Sequence, residues 1–195
     1  DPELSRGLGD VYKRQTIITG IGQGFIQTTP IQLCLMTAQI ANGGYKIYPK
    51  IVLNNDQQYL DKYKPLFKNS KNIKLIQKAM FSSTNEVRGT SYKSRIDDPK
   101  YQFAGKTGTA QVKRITEKDR ELDLKTFEIP YEERDHALYV AFGPYKNPRY
   151  ATSIIIEHGG SGGTTAAPIA KKLFKLIIDR HKLRQSVKEK KHWDI

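Results

Sequence analysis

The chain has 195 residues, 37% hydrophobic and 27% charged, with a net charge of +13. That length suits one domain with a packed core, and no apolar run approaches the roughly 18 residues a membrane span needs. One cysteine, Cys34, excludes an internal disulfide and a thiolate zinc cluster, while the positive charge favours anionic surroundings without saying which.

Residues 1–15 have no periodicity, and Val11–Gln15 looks like adapter or non-coding read-through. This leader is set apart as non-native or disordered, and no secretory signal is read in it. Gly20, Gly22 and Gly24 then permit a tight loop, but their spacing fails the Gly-x-Gly-x-x-Gly of nucleotide-binding turns. The strongest helix signal follows. Thr29 caps it, Pro30 suits its first position, and Gln32 completes a capping box. Ile31, Cys34, Leu35, Ala38 and Ala41 form the expected core stripe, and Asn42-Gly43-Gly44 ends the helix.

Tyr45–Val52 reads as an edge strand because it carries Pro49. Ser70 is expected to cap a helix running to about Phe81, with Ile73, Ile76, Gln77 and Met80 on one face. Gly89-Thr90 and Asp98-Pro99 bracket a loop or short helix. The central strand is expected at 104–112. Lys113–Asp135 holds eight acidic and six basic residues. It reads as a solvated loop, or as a mobile flap beside that strand. His136–Phe142 and Arg149–Glu157 should pair antiparallel across a hairpin-type connection. Gly159–Gly163 reads as a flexible turn. A last helix follows, capped by Thr164 or Thr165, with Ile169, Leu173, Leu176 and Ile177 as its core face and Phe174 and Ile178 broadening it. Each large side chain so buried contributes roughly 1.5–3 kcal/mol. The basic tail, 181–195, is expected to fray. The fold class is α+β, an antiparallel sheet flanked by helices.

Chemistry concentrates in Ala104-Gly105-Lys106-Thr107-Gly108-Thr109-Ala110-Gln111-Val112. Small residues stand where a strand normally carries bulk, so something must approach the backbone closely. One ammonium, two hydroxyls and bare amides can hold a carboxylate and polarise a neighbouring carbonyl. The P-loop alternative fails, since position 100 is Lys rather than Gly and strand follows instead of helix.

The whole stretch resembles the third active-site motif of penicillin-binding proteins and serine β-lactamases. Gly20-Ile-Gly-Gln-Gly, Thr29-Pro-Ile-Gln, Ala41-Asn-Gly-Gly, His136-Ala-Leu-Tyr-Val-Ala-Phe-Gly-Pro-Tyr and Glu157-His-Gly-Gly-Ser-Gly-Gly occur in the order seen in class B penicillin-binding proteins of the elongation type. The resemblance covers residues 16–180, as the C-terminal part of a transpeptidase domain with a partial penicillin-binding-protein fold. It implies a peptidoglycan D,D-transpeptidase, in which a serine attacks a D-Ala-D-Ala stem peptide and β-lactams acylate the same serine. It further implies that Lys106 aids proton transfer and that Thr107 and Thr109 bind the donor carboxylate. Gly108 keeps the strand bare, and the Thr109 N–H serves as an oxyanion donor. No cofactor is implied. Partners would be stem peptides, β-lactams and proteins of the cell-wall elongation complex. The location would be the periplasmic face of the bacterial inner membrane, reached through an anchor outside this chain.

The family's nucleophile lies in Ser-x-x-Lys, and no serine here has Lys at the third position after it. Ser70-Lys71-Asn72 and Ser83-Thr84-Asn85 match the second motif, Ser-x-Asn, by letters, but both follow the glycine loop whereas the family's copy precedes it. They are read as coincidences, and the fragment alone is expected to be inactive. His136 is a possible site-lining residue. His136 and His158 need not lie near each other, and no metal spacing is present. Three rival functions remain: a serine β-lactamase or penicillin sensor, a non-catalytic contact domain, and a basic nucleic-acid-binding module. The last is disfavoured because Lys and Arg are scattered and the tyrosines form no RNA-binding motif.

Overall fold

A computed structural model describes residues 15–24, 26–51, 64–113 and 124–193, with only the backbone described at 181–193. The three strands are β1 (Ala104–Ala110), β2 (His136–Gly143) and β3 (Tyr150–Ile156). They form an antiparallel sheet in the order β1-β2-β3. Lys106 faces Val140, Thr107 faces Tyr139 and Gly108 faces Leu138. Among the described residues β1 is thus an edge strand and β2 the centre, which corrects the expected placing of β1. The reason lies on the outer side of β1, where side chains rather than a fourth strand meet its backbone. The Gly105 N–H donates to Thr84 Oγ1 at 3.0 Å, and Gln23 Nε2 donates to the Thr109 carbonyl at 2.8 Å.

Helix α1 (Pro30–Ala41) begins as its sequence dictates. The Thr29 N–H donates to Gln32 Oε1 at 2.8 Å and the Gln32 N–H donates to Thr29 Oγ1 at 3.4 Å. It ends in a Schellman motif, with Gly43 N–H on the Ile40 carbonyl and Gly44 N–H on the Gln39 carbonyl. Gly43 and Gly44 take φ of 95° and 89°, the left-handed region that a side chain would strain. The stripe differs from expectation. Thr37 is the buried residue, its hydroxyl returned to the Leu33 carbonyl, whereas Ile31 is exposed. Cys34 is half-buried and donates to the Ala151 carbonyl of β3; burial raises its thiol pKa. Thr29→Ala should lower unfolding free energy by about 1 kcal/mol while Thr29→Ser holds it. Denaturant melts check this, and an unchanged midpoint for Thr29→Ala would show that the box carries no stability.

The expected strand at Tyr45–Val52 is reduced to one bridge, Tyr45 to Pro65; Val52 lies outside the described residues. Helix α2 (Ser70–Asn85) is capped by Asn69 rather than Ser70 and runs past Phe81. Ile73, Met80 and Thr84 are its buried residues, while Ile76 is exposed. A short 3-10 turn, Tyr92–Ser94, follows.

The glycine turn is closely packed rather than flexible. Gly162 is buried and opens a π-helical turn, Gly162–Ala166, which leads into α3 (Ala167–Trp193). The core face of α3 is Ala170, Phe174 and Ile178, one turn apart, with Ala166 and Ala167 before it. Ile169 and Leu176, expected inside, are exposed. The stripe that meets the sheet runs through Ala170, Phe174 and Ile178, and Phe103 stacks on Phe174 at 5.0 Å. The helix continues to Trp193. Two apolar clusters sandwich the sheet: α3 with Phe103 and Tyr139 on one face, Met80, Ala104 and Phe142 on the other.

Candidate functional site

The period of the strand assigns the β1 side chains. Lys106 and Gly108 share one face, Thr107 and Thr109 the other. In an antiparallel strand the N–H and C=O of one residue point the same way. Gly105 N–H and Thr109 C=O both meet groups away from β2, so Thr107 and Thr109 also turn their amides to the open side. Lys106 is exposed, and its ammonium curls over that edge to the Thr107 carbonyl at 2.8 Å and Thr107 Oγ1 at 3.5 Å. The edge therefore carries an ammonium, two hydroxyls and outward amides within one strand length. That geometry suits an extended chain ending in a carboxylate, added alongside as a further strand.

Glycines make the edge bare and hold it in place. A Cβ on Gly105 would lie 2.3 Å from the Tyr139 hydroxyl. One on Gly162 would lie 2.2 Å from the Leu138 carbonyl oxygen and 2.7 Å from that of Gly108. The turn after β3 thus presses on the Gly108–Leu138 pair. Beneath β1, the buried Tyr139 hydroxyl is paired with Thr84 at 2.9 Å and Ser91 at 3.1 Å. Burial raises its pKa, so the phenol stays neutral and serves as a fixed polar post.

The Gly20–Gly24 loop reaches the far end of the strand through Gln23, with Gly22 at φ 77° and Gly24 at φ 100°. Gln23 and Thr90 are neighbours of the site that motifs do not mark as individuals, hinted at only by the glycine-rich surroundings of Gln23 and the Gly89-Thr90 pair. Ser83, named in the sequence only as a coincidental Ser-x-Asn match, is a neighbour too. Both Ser-x-Asn matches lie on α2, Ser70 at its start and Asn85 at its end. Asn85 is used structurally, donating to the Phe81 and Phe103 carbonyls.

His136 stands opposite Ala110. Contrary to expectation it meets His158: its Nδ1 accepts the His158 N–H at 2.9 Å, and the rings are 4.8 Å apart. His158 holds φ 54° there. This bond engages the His136 ring with the turn after β3. The acidic stretch is described only in part, since residues 114–123 lie outside the described residues. Where described, it is tied to the strand end, by Asp135 accepting the Val112 N–H and by Lys113 paired with Glu133 at 2.6 Å. Among the described residues no His, Cys, Asp or Glu cluster could hold a metal ion. None of their helices is long and apolar enough to cross a membrane.

Residues 2–175 match the family model of the penicillin binding protein transpeptidase domain, and the chain belongs to that family. The matched span takes in most of the leader that the sequence reading set apart. Among curated proteins it is 37% identical over 182 residues to the peptidoglycan D,D-transpeptidase MrdA of Salmonella typhimurium, and 32% identical over 181 residues to that of Haemophilus influenzae. Those alignments cover 86% and 87% of this chain but only 28% and 27% of the relatives. Of solved structures, it is similar to the penicillin-binding protein PBP2 of Helicobacter pylori in complex with MreC, at 32% identity and a TM-score of 0.66 over 84% of this chain and 27% of that one. It is also similar to Pseudomonas aeruginosa PBP2 in complex with WCK 5153, at 33% identity and a TM-score of 0.63 over 83% and 33%. The expected elongation-type resemblance and the partial transpeptidase fold are thereby borne out.

Proposed function

We propose that this chain supplies one wall of a peptidoglycan D,D-transpeptidase site. The open β1 edge carries that reading. Lys106 offsets the charge of a D-Ala-D-Ala carboxylate and assists proton transfer from a serine outside these residues. Thr107 and Thr109 hydroxyls hold the carboxylate, Gly108 leaves room for the peptide, and the outward Thr109 N–H faces the developing oxyanion. One such donor is typically worth ~2.7–4 kcal/mol in the transition state. β-Lactams enter as mimics of the same peptide. His136, bonded to the backbone behind β3, is given no step.

The likeness to the PBP2–MreC complex supports a partner within a cell-wall elongation assembly. The working location is the periplasmic face of a bacterial inner membrane. Residues 16–180 form the transpeptidase unit and 181–195 its basic extension.

The serine nucleophile must come from another segment, because Ser-x-x-Lys does not occur here. Labelled penicillin should therefore leave no adduct on this polypeptide alone on a denaturing gel. The full-length protein that contains it should be labelled, with labelling suppressed by a D-Ala-D-Ala peptide. A stable adduct on this polypeptide, or a full-length protein that resists all labelling, would overturn the assignment.

A further inference from the structure

The Thr107 hydroxyl does not stand alone. It lies 3.2 Å from Thr90 Oγ1, which lies 3.2 Å from Ser83 Oγ. The three hydroxyls form a chain from the end of α2 to the open edge of β1. We propose that Thr90 is a positioning residue for the carboxylate site, fixing the direction in which the Thr107 hydroxyl points its proton. This rests on the assignment of Thr107 to carboxylate binding.

The reason is proton counting. A hydroxyl has one proton and two lone pairs. If Thr107 donates to Thr90, it has none left for an anion. If Ser83 donates to Thr90 and Thr90 to Thr107, the Thr107 proton faces outward. Bonds aligned this way polarise one another, and an anion at the end favours that direction. The Lys106 ammonium, also near Thr107 Oγ1, can only donate, which likewise leaves the Thr107 proton for a ligand.

Thr90 is placed by backbone constraints rather than by its own side chain. A Cβ on Gly89 would lie 2.2 Å from the Ser83 carbonyl oxygen, and one on Gly163 would lie 2.6 Å from that of Thr90. The Thr90 turn is therefore held between α2 and the turn after β3. Buried Ser91 secures it further, its N–H and Oγ both donating to the Ser83 carbonyl at 3.1 and 3.0 Å. Two close backbone approaches and a buried pair of hydrogen bonds fix a threonine that is itself exposed. Stability alone does not require its hydroxyl to face Thr107.

The test uses the full-length protein and two probes, a penicillin with its free carboxylate and the methyl ester of the same penicillin. Thr90→Val should lower the second-order acylation rate for the acid about fivefold, the effect of losing one hydrogen bond, and leave the ester rate unchanged. Thr90→Ser should restore the acid rate, and Ser83→Ala should cause a smaller loss with the same selectivity. Equal loss for acid and ester, or no loss for either while the wild type is acylated, would overturn the role of Thr90. A wild type that neither probe acylates would instead overturn the transpeptidase assignment.

Discussion

Lys106→Ala in the full-length protein is expected to lower penicillin acylation about 10³-fold, within the range for losing one electrostatic stabiliser or one proton-transfer group. The protein should keep its melting temperature. Lys106 is exposed and, among the described residues, its ammonium bonds only Thr107 oxygens, so its removal opens no cavity and orphans no buried partner there. A large kinetic effect with no stability effect distinguishes a site cation from a structural one. Lys106→Arg should recover little. A guanidinium is planar and bulkier, and it is not a compact point charge that can curl over the strand edge. Stopped-flow acylation with a labelled penicillin checks both variants. A Lys106→Ala protein acylated within threefold of wild type would remove the ammonium from the reaction.

What could be read from the sequence was local. The capping box at Thr29 and Gln32 formed because both partners lie within one helical turn. The β2–β3 pair formed because two β-branched and aromatic runs flank a turn too short for any other pairing. Distance in sequence hid the rest. Tyr139 meets Thr84 and Ser91, and Thr107 meets Thr90, through side chains that no periodicity links. The last helix misled for another reason. Side-chain size ranks Ile169 and Leu176 above Ala170, but the rotation of the helix on the sheet decides, and it buries Ala170, Phe174 and Ile178 while leaving Ile169 and Leu176 outside. The candidate strand was legible by its letters, its edge position was not, because a strand's neighbours are set by tertiary packing rather than by its own residues.

Gly162→Ala should be the most damaging small substitution away from the reacting groups. The added methyl would meet the Leu138 and Gly108 carbonyl oxygens at 2.2 and 2.7 Å and the Gly108 nitrogen at 3.2 Å. These are backbone atoms of paired strands and cannot rotate aside. Either the turn lifts from the sheet or β1 separates from β2. Overpacking of this kind costs typically about 1–3 kcal/mol, and the upper end is expected because nothing flexible absorbs it. For a unit this size, that is a fall in melting temperature of roughly 5–10 °C. In the full-length protein acylation should fall as well, since the displaced pair is the one that holds Gly108 between Thr107 and Thr109. Gly20→Ala is the control, since no atom lies within 4 Å of its added carbon. It should melt at or slightly above wild type. Scanning calorimetry and acylation rates on both variants give the answer. A Gly162→Ala protein with wild-type stability and rate would mean that the turn does not press on β1, and that the edge keeps its shape without it.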